Sequence, residues 1–222
     1  KFPYSVVHEE TPDERGIDLA LAYRKDRFTL LDQESWQVRD EKGGSIPTRS
    51  ILHVTGKAAC GEKVHLVLAH WPSRFNVQEQ RELAARTMIA GLDSVFRLEP
   101  EAMVIVAGDF NDNPGDPAPL LLSEEFGLLN LVFEIPGYSK SGSIKYLGKW
   151  YWFDQMMLSS GMTDGRGLDW VRGSFGTLRE AFLLEKDLKY TGEMPFRSFS
   201  GYRYTGGFSD HLPVVAAFEC LP

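Results

Sequence analysis

The run Met103-Val-Ile-Val-Ala107 leads into Gly108-Asp109-Phe110-Asn111, and the chain then turns at Asn113-Pro114-Gly115-Asp116. An apolar run of this length bounded by a turn fits a strand buried on both faces. Such a strand needs a packed layer on each side, which points to a layered α/β fold. Its end presents a carboxylate and an amide two residues apart, both hard oxygen donors suited to a cation such as Mg²⁺. Asp and Asn are also common turn formers, so the motif alone fits a site or a turn. Asp112 and Asp116 read as turn residues.

A second edge of this kind lies near the C-terminus, where Ser209-Asp210-His211 precedes the apolar run Leu212–Phe218. A histidine beside a carboxylate at a strand start can meet a phosphate as imidazolium, or it can be a loop residue with Asp210 capping the strand. His70 ends the apolar run Val64–Ala69 before Trp71-Pro72, where the proline stops a strand. Asp154 lies inside the run Trp152–Ser159, where a carboxylate is costly unless paired. It is placed to orient His211, or to face water from an edge strand. Asp18 raises the same question for His70, and the preferred reading there is a satisfied strand Asp or a salt bridge to Arg15. His8, His53 and His65 read as structural or solvent-facing.

The remaining periodicities fit an α/β order. Strands are expected over Arg15–Arg24 and Arg49–Lys57, a helix over Asn76–Leu98 and a short helix over Pro117–Glu125. On the long helix Ala84, Met88, Leu92, Val95 and Phe96 share a face, and Asn76 with Glu79 resembles an N-cap and capping box. The stretch Tyr138–Trp152 carries three lysines and five aromatics without an acid. Lys145, Lys149 and Trp150 are its candidates for holding a phosphorylated or ring-bearing substrate; the alternative is a solvated loop with its aromatics in the core. The stretch 186–207 is similar.

The bulk numbers exclude little. The 222 residues are 43% apolar, with a formal net charge of −7. That charge argues weakly against a long non-specific nucleic-acid groove, but not against a small anionic substrate held through a metal. No apolar run is long enough to span a bilayer. Cys60 and Cys220 fit no zinc pattern and leave both a disulfide and two thiols open, so the compartment is undetermined. G-x-S-x-G, H-E-x-x-H and Walker A motifs are absent.

Taken together, Gly108-Asp109-Phe110-Asn111, Ser209-Asp210-His211, His70 and Asp154 resemble the endonuclease/exonuclease/phosphatase family, with its DNase I-like fold. The resemblance covers nearly all of residues 1–222, as one domain, and a monomer is expected. It implies a four-layer α-β-β-α sandwich of two mixed sheets and a phosphoesterase dependent on Mg²⁺ or Mn²⁺. Nucleic acid and small molecules both remain open as its phosphate-ester substrate. By position, Asp109 resembles the residue that orients or deprotonates the attacking water, and Asn111 the amide that holds it and the phosphate. Asp210 resembles a metal ligand, alongside Asp109 and Asn111. His211 resembles the imidazole on the scissile phosphate, Asp154 its partner, and His70 the second histidine of some branches. The family's opening strands, with an Asn and the principal Glu ligand, cannot be placed, and Glu9, Glu10 and Glu14 are poor substitutes. The chain is therefore expected to be the C-terminal two thirds of the family domain, without its N-terminal strands. An inactive fragment or binding module that keeps the fold is the alternative to an enzyme.

Overall fold

The computed structural model describes residues 3–222. Its first strands are β1 (Tyr4–Glu9), β2 (Leu19–Arg24), β3 (Phe28–Trp36), β4 (Ile51–Ala58) and β5 (Lys63–His70). Helix α1 (Gln78–Leu98), β6 (Met103–Asp109), α2 (Pro117–Phe126) and β7 (Leu129–Asn130) follow. The hairpin β8 (Ile144–Tyr146) and β9 (Lys149–Tyr151) precedes β10 (Asp154–Leu158), and shorter strands continue to Leu221. Six strands form a mixed sheet in the order β3-β4-β5-β6-β10-β7. The β5–β6 pair is parallel, and α1 is the crossover such a pair requires.

The central strands are buried on both faces, as their unbroken apolar runs require. Val67, Ala69, Val104 and Val106 face the helices, where they join Ala84, Ala85, Met88 and Leu92 of α1 and Leu122 of α2. Burying Met88 or Leu92 contributes about 1.5–3 kcal/mol each. Val64 and Ile105 point to the other face and join Trp152, Leu158, Trp170 and Phe175. The β1–β2 pair covers Leu52 and Val54 on that same side. The mixed α/β architecture is as expected. The second sheet occurs only as two-stranded pairs, and both α-helices lie on one side of the central sheet among the described residues.

Several boundaries differ from the sequence reading. The strand expected from Arg15 begins at Leu19, because a turn with Gly16 at φ +66 and the Asp18–Thr11 hydrogen bond occupy the preceding residues. Asp18 also meets His8 at 3.3 Å, while Arg15 pairs with Asp13, so of the two readings the satisfied Asp holds and the bridge to Arg15 does not form. Helix α1 starts at Gln78 with Val77 at its cap and no side-chain cap bond; Asn76 instead closes a turn onto Ser73. β10 starts at Asp154: Trp152 and Phe153 are apolar because they pack in the core, not because they extend the strand. The expected C-terminal strand is split into Val214–Val215 and Phe218–Leu221, which pair with different partners. Cys60 and Cys220 are exposed free thiols. No described helix is long and apolar enough to cross a membrane.

Candidate active site

The sheet register brings the predicted residues together. His70 lies opposite Asp109 in the parallel β5–β6 pair, and Asp154 lies opposite Asp109 in the antiparallel β6–β10 pair. Gly108 makes the approach possible. Its φ is +150, and a Cβ there would sit 1.9 Å from the carbonyl oxygen of Ala69. His211 arrives from the C-terminal segment through a bridge to Ile144, and Leu212 N–H donates to the Ser143 carbonyl at 2.7 Å. The buried Ser143 hydroxyl accepts from the Asp154 N–H at 3.1 Å, so this serine ties both partners of the His211–Asp154 pair in place.

His211 Nδ1 lies 2.6 Å from Asp154 Oδ2 and 4.0 Å from Asp109 Oδ2. His70 Nε2 approaches Asp109 Oδ2 to 3.4 Å. Burial, then the neighbouring Asp154 charge, pushes the Asp109 carboxyl up to about 6. Burial opposes the imidazolium of His211. The Asp154 hydrogen bond and the charges of Asp154, Asp109 and Asp210 outweigh it and raise the ring to about 9. Burial, with Arg49 and His211 adding to it, lowers His70 to about 4. Near neutral pH the site therefore holds one charged and one neutral imidazole around a carboxylate.

Asn111 adopts φ +51, a left-handed conformation that asparagine tolerates better than most residues. Its N–H donates to Asp109 Oδ1 at 2.8 Å and its Nδ2 to the Trp71 carbonyl at 3.0 Å. The amide nitrogen is thus engaged and Oδ1 remains an acceptor. Asp210 is exposed on the same cleft as Asn111 and His211. Asp109, Asn111 and Asp210 are the hard oxygen donors at this end of the sheet that could be offered to a cation. That chemistry fits Mg²⁺ or Mn²⁺, which commonly bind one or two carboxylates and complete their shells with water and substrate phosphate. Asp109, Asp154 and His211 also bring donor atoms within 4.8 Å of one another. In that group the imidazole Nδ1 is hydrogen-bonded to Asp154, which makes it a proton network rather than a metal cage.

A residue that sequence reasoning passed over organises the base of the site. The buried Arg49 donates from Nε to the His70 carbonyl at 2.9 Å, from Nη2 to the Trp71 carbonyl at 2.6 Å and from Nη1 to Asp13 at 2.7 Å. The only signal in sequence was an arginine at the mouth of an apolar strand. Asp112 is also more than a turn residue: it is 1% exposed and its carboxylate meets Arg81 at 2.9 Å and Arg74 at 3.3 Å. Asp116 is a turn residue as expected, accepting from the Asn113 N–H.

The lysine-aromatic stretch divides by strand period. Lys145 and Trp150 are cross-strand partners that face away from the cleft. The Lys145 ammonium is buried between Asp187 at 2.8 Å and the Thr191 carbonyl at 2.7 Å, so it is unavailable to a substrate. Trp150 is covered by the Arg179 guanidinium at 4.8 Å. Lys149 is exposed and does not line the cleft. Lys145→Met is accordingly expected to lower the melting temperature, by stranding Asp187, and to leave KM unchanged. A raised KM with an unchanged melting temperature would return Lys145 to the substrate.

The sequence of residues 1–219 matches the model of the endonuclease/exonuclease/phosphatase family. The chain belongs to that family. Its members generally use a divalent metal ion. Among solved structures it is similar to a mannosyl-6-phosphatase of Bacteroides thetaiotaomicron VPI-5482, with a TM-score of 0.66 and 14% identity over 97% of this chain and 77% of that one. The catalytic domain of human Nocturnin with a bound sulfate anion aligns at TM-score 0.65 and 16% identity, over 98% of this chain and 72% of that chain. D. rerio TDP2 complexed with a single-strand DNA product aligns at TM-score 0.58 and 16% identity, over 97% and 77%. At these identities the structural likeness establishes the fold alone. No curated protein sequence matches the chain.

Proposed function

We propose that this chain is a divalent-metal-dependent phosphoesterase that attacks phosphorus in line with water. The observation that carries the reading is the convergence of Asp109, Asp154 and His211 within 4.8 Å at the ends of β6 and β10. Asp109 aligns the water and accepts its proton, since a carboxylate raised to about 6 is both ionised at neutral pH and basic enough for the transfer. Asn111, fixed through Trp71, holds the Asp109 side of the site and turns Oδ1 outward. The His211 imidazolium meets the phosphoryl oxygens, and Asp154 keeps it charged and oriented. His70, neutral, flanks Asp109 without adding a second positive charge. Asp109, Asn111 and Asp210 would hold the cation, which when bound offsets charge on the phosphoryl and leaving oxygens.

The test is hydrolysis of bis(p-nitrophenyl) phosphate with Mg²⁺ or Mn²⁺. Activity should disappear with chelator and with Asp109→Ala. The rate constant kcat/KM should rise as Asp109 ionises, at or below about pH 6 because a bound cation favours the carboxylate, and fall as His211 loses its proton, at or below about pH 9. No hydrolysis with either metal, across diesters and monoesters, would reduce the chain to a binding module of this fold.

A further inference from the structure

We infer that the cleft beside His211 contains a stacking subsite for a planar ring carried by the phosphate ester. This deepens the phosphoesterase reading by naming what lies on the non-phosphate side of the substrate. The cleft encloses about 420 Å³. Its lining brings Asn111, Asp210 and His211 together with Phe75, Tyr146 and Tyr151, and the bridge from Ile144 to His211 sets the β8–β9 hairpin beside the imidazole.

The aromatic wall follows from the hairpin period. Ile144 pairs with Tyr151, so both point to the cleft, and Tyr146 follows on the same face two residues along. Behind them the rings continue toward the chemistry: Tyr151 to Phe153 at 5.6 Å between centroids, then Phe153 to His211 at 6.4 Å. Phe75 is 99% exposed and Tyr146 is 56% exposed. A lone exposed aromatic needs no explanation. Several lining one cleft together with the reacting groups form an apolar surface suited to a ligand.

Charge decides which ligand. Arg74 lines the cleft, but its guanidinium is engaged by Asp112 and Asp116 and lies 5.2 Å over the Phe153 ring. Lys145 is buried on the other face of the hairpin. Beside His211 the cleft thus offers aromatic side chains rather than open cations, which suits an uncharged planar ring better than a run of phosphates or a bare sugar. Both a nucleobase and a simple aryl group have that chemistry.

Calorimetric titration of the whole chain with four monoesters tests this without requiring turnover. Phenyl phosphate should bind about tenfold tighter than cyclohexyl phosphate, and adenosine 5′-monophosphate about tenfold tighter than ribose 5-phosphate. A preference confined to the adenosine pair assigns the ring to a nucleobase, and one confined to the phenyl pair to an aryl group; either supports the subsite. The double variant Phe75→Ala with Tyr146→Ala should erase the preference within each pair and leave the affinity for ribose 5-phosphate unchanged. Both side chains are exposed, so the fold does not depend on them. Equal affinities within both pairs, no binding of either aromatic ester, or a preference that survives the double variant overturns the subsite. Ring preference without hydrolysis of any ester would instead count against the phosphoesterase reading alone.

Discussion

Asp154→Asn is expected to lower kcat roughly a thousandfold at pH 8 and distinctly less at pH 6. The asparagine keeps the shape of the side chain and leaves the backbone pairing with Asp109 intact, so the sheet edge should survive. What it removes is the charge 2.6 Å from His211 Nδ1. Burial already works against the imidazolium, and Asp154 is the first group that opposes burial. Without it His211 should titrate well below about 9 and be neutral at pH 8. Asp109 loses its repulsive neighbour at the same time and should ionise below about 6. Both limbs of the pH–rate profile therefore move to lower pH, which a general loosening of the fold would not produce. An NMR titration of the His211 ring, with the steady-state profile, reads both effects. A kcat at pH 8 within a few-fold of the parent, or an unmoved ring pKa, would show that the pair is structural.

The parts of this molecule that sequence made legible share a physical property: they are locally over-determined. Met103–Ala107 and Val64–Ala69 had to be buried strands because no face of either run is polar. The α1 stripe of Ala84, Met88, Leu92 and Val95 had to meet a sheet. The ends of those strands then delivered His70 and Asp109 to one edge, side by side in register. β1 and β3 were missed because pairs at a sheet margin tolerate polar residues: β3 carries Asp32, Gln33 and Glu34 and is mostly exposed. Lys145 was misassigned as a substrate contact because a lysine in an aromatic stretch looks solvent-facing, and nothing local announces a buried partner forty-two positions on at Asp187. Ser143 and Arg49 were invisible for the same reason. Their roles lie in bonds to strand-end carbonyls and N–H groups that exist only once the chain has folded.

Arg49→Met is expected to cost about 3 kcal/mol of stability, toward the lower end for a broken buried ion pair. The side chains of Arg49 and Asp13 are 2% and 4% exposed, so neither is readily rehydrated in place. The cost stays at the lower end because Asp13 keeps Arg15 at 2.9 Å. That Arg15 bond comes first, ahead of Arg49, in holding the Asp13 carboxyl well below the usual range against the effect of burial. The catalytic consequence follows from the carbonyls. Trp71 O accepts from both Arg49 Nη2 and Asn111 Nδ2, and Trp71 N–H donates to the Asp109 carbonyl at 2.8 Å. Releasing Arg49 frees one side of the joint that fixes Asn111 beside Asp109, and misplacement on the scale of an ångström lowers rates by roughly 10–100-fold. Arg49→Lys separates the two effects. One ammonium keeps the charge for Asp13 but cannot span Asp13 and two carbonyls, so stability should recover more than kcat. Thermal unfolding and kcat, measured at a temperature where all three proteins are folded, decide it. Should the methionine variant retain full kcat there, Arg49 stabilises the sheet edge without positioning the site.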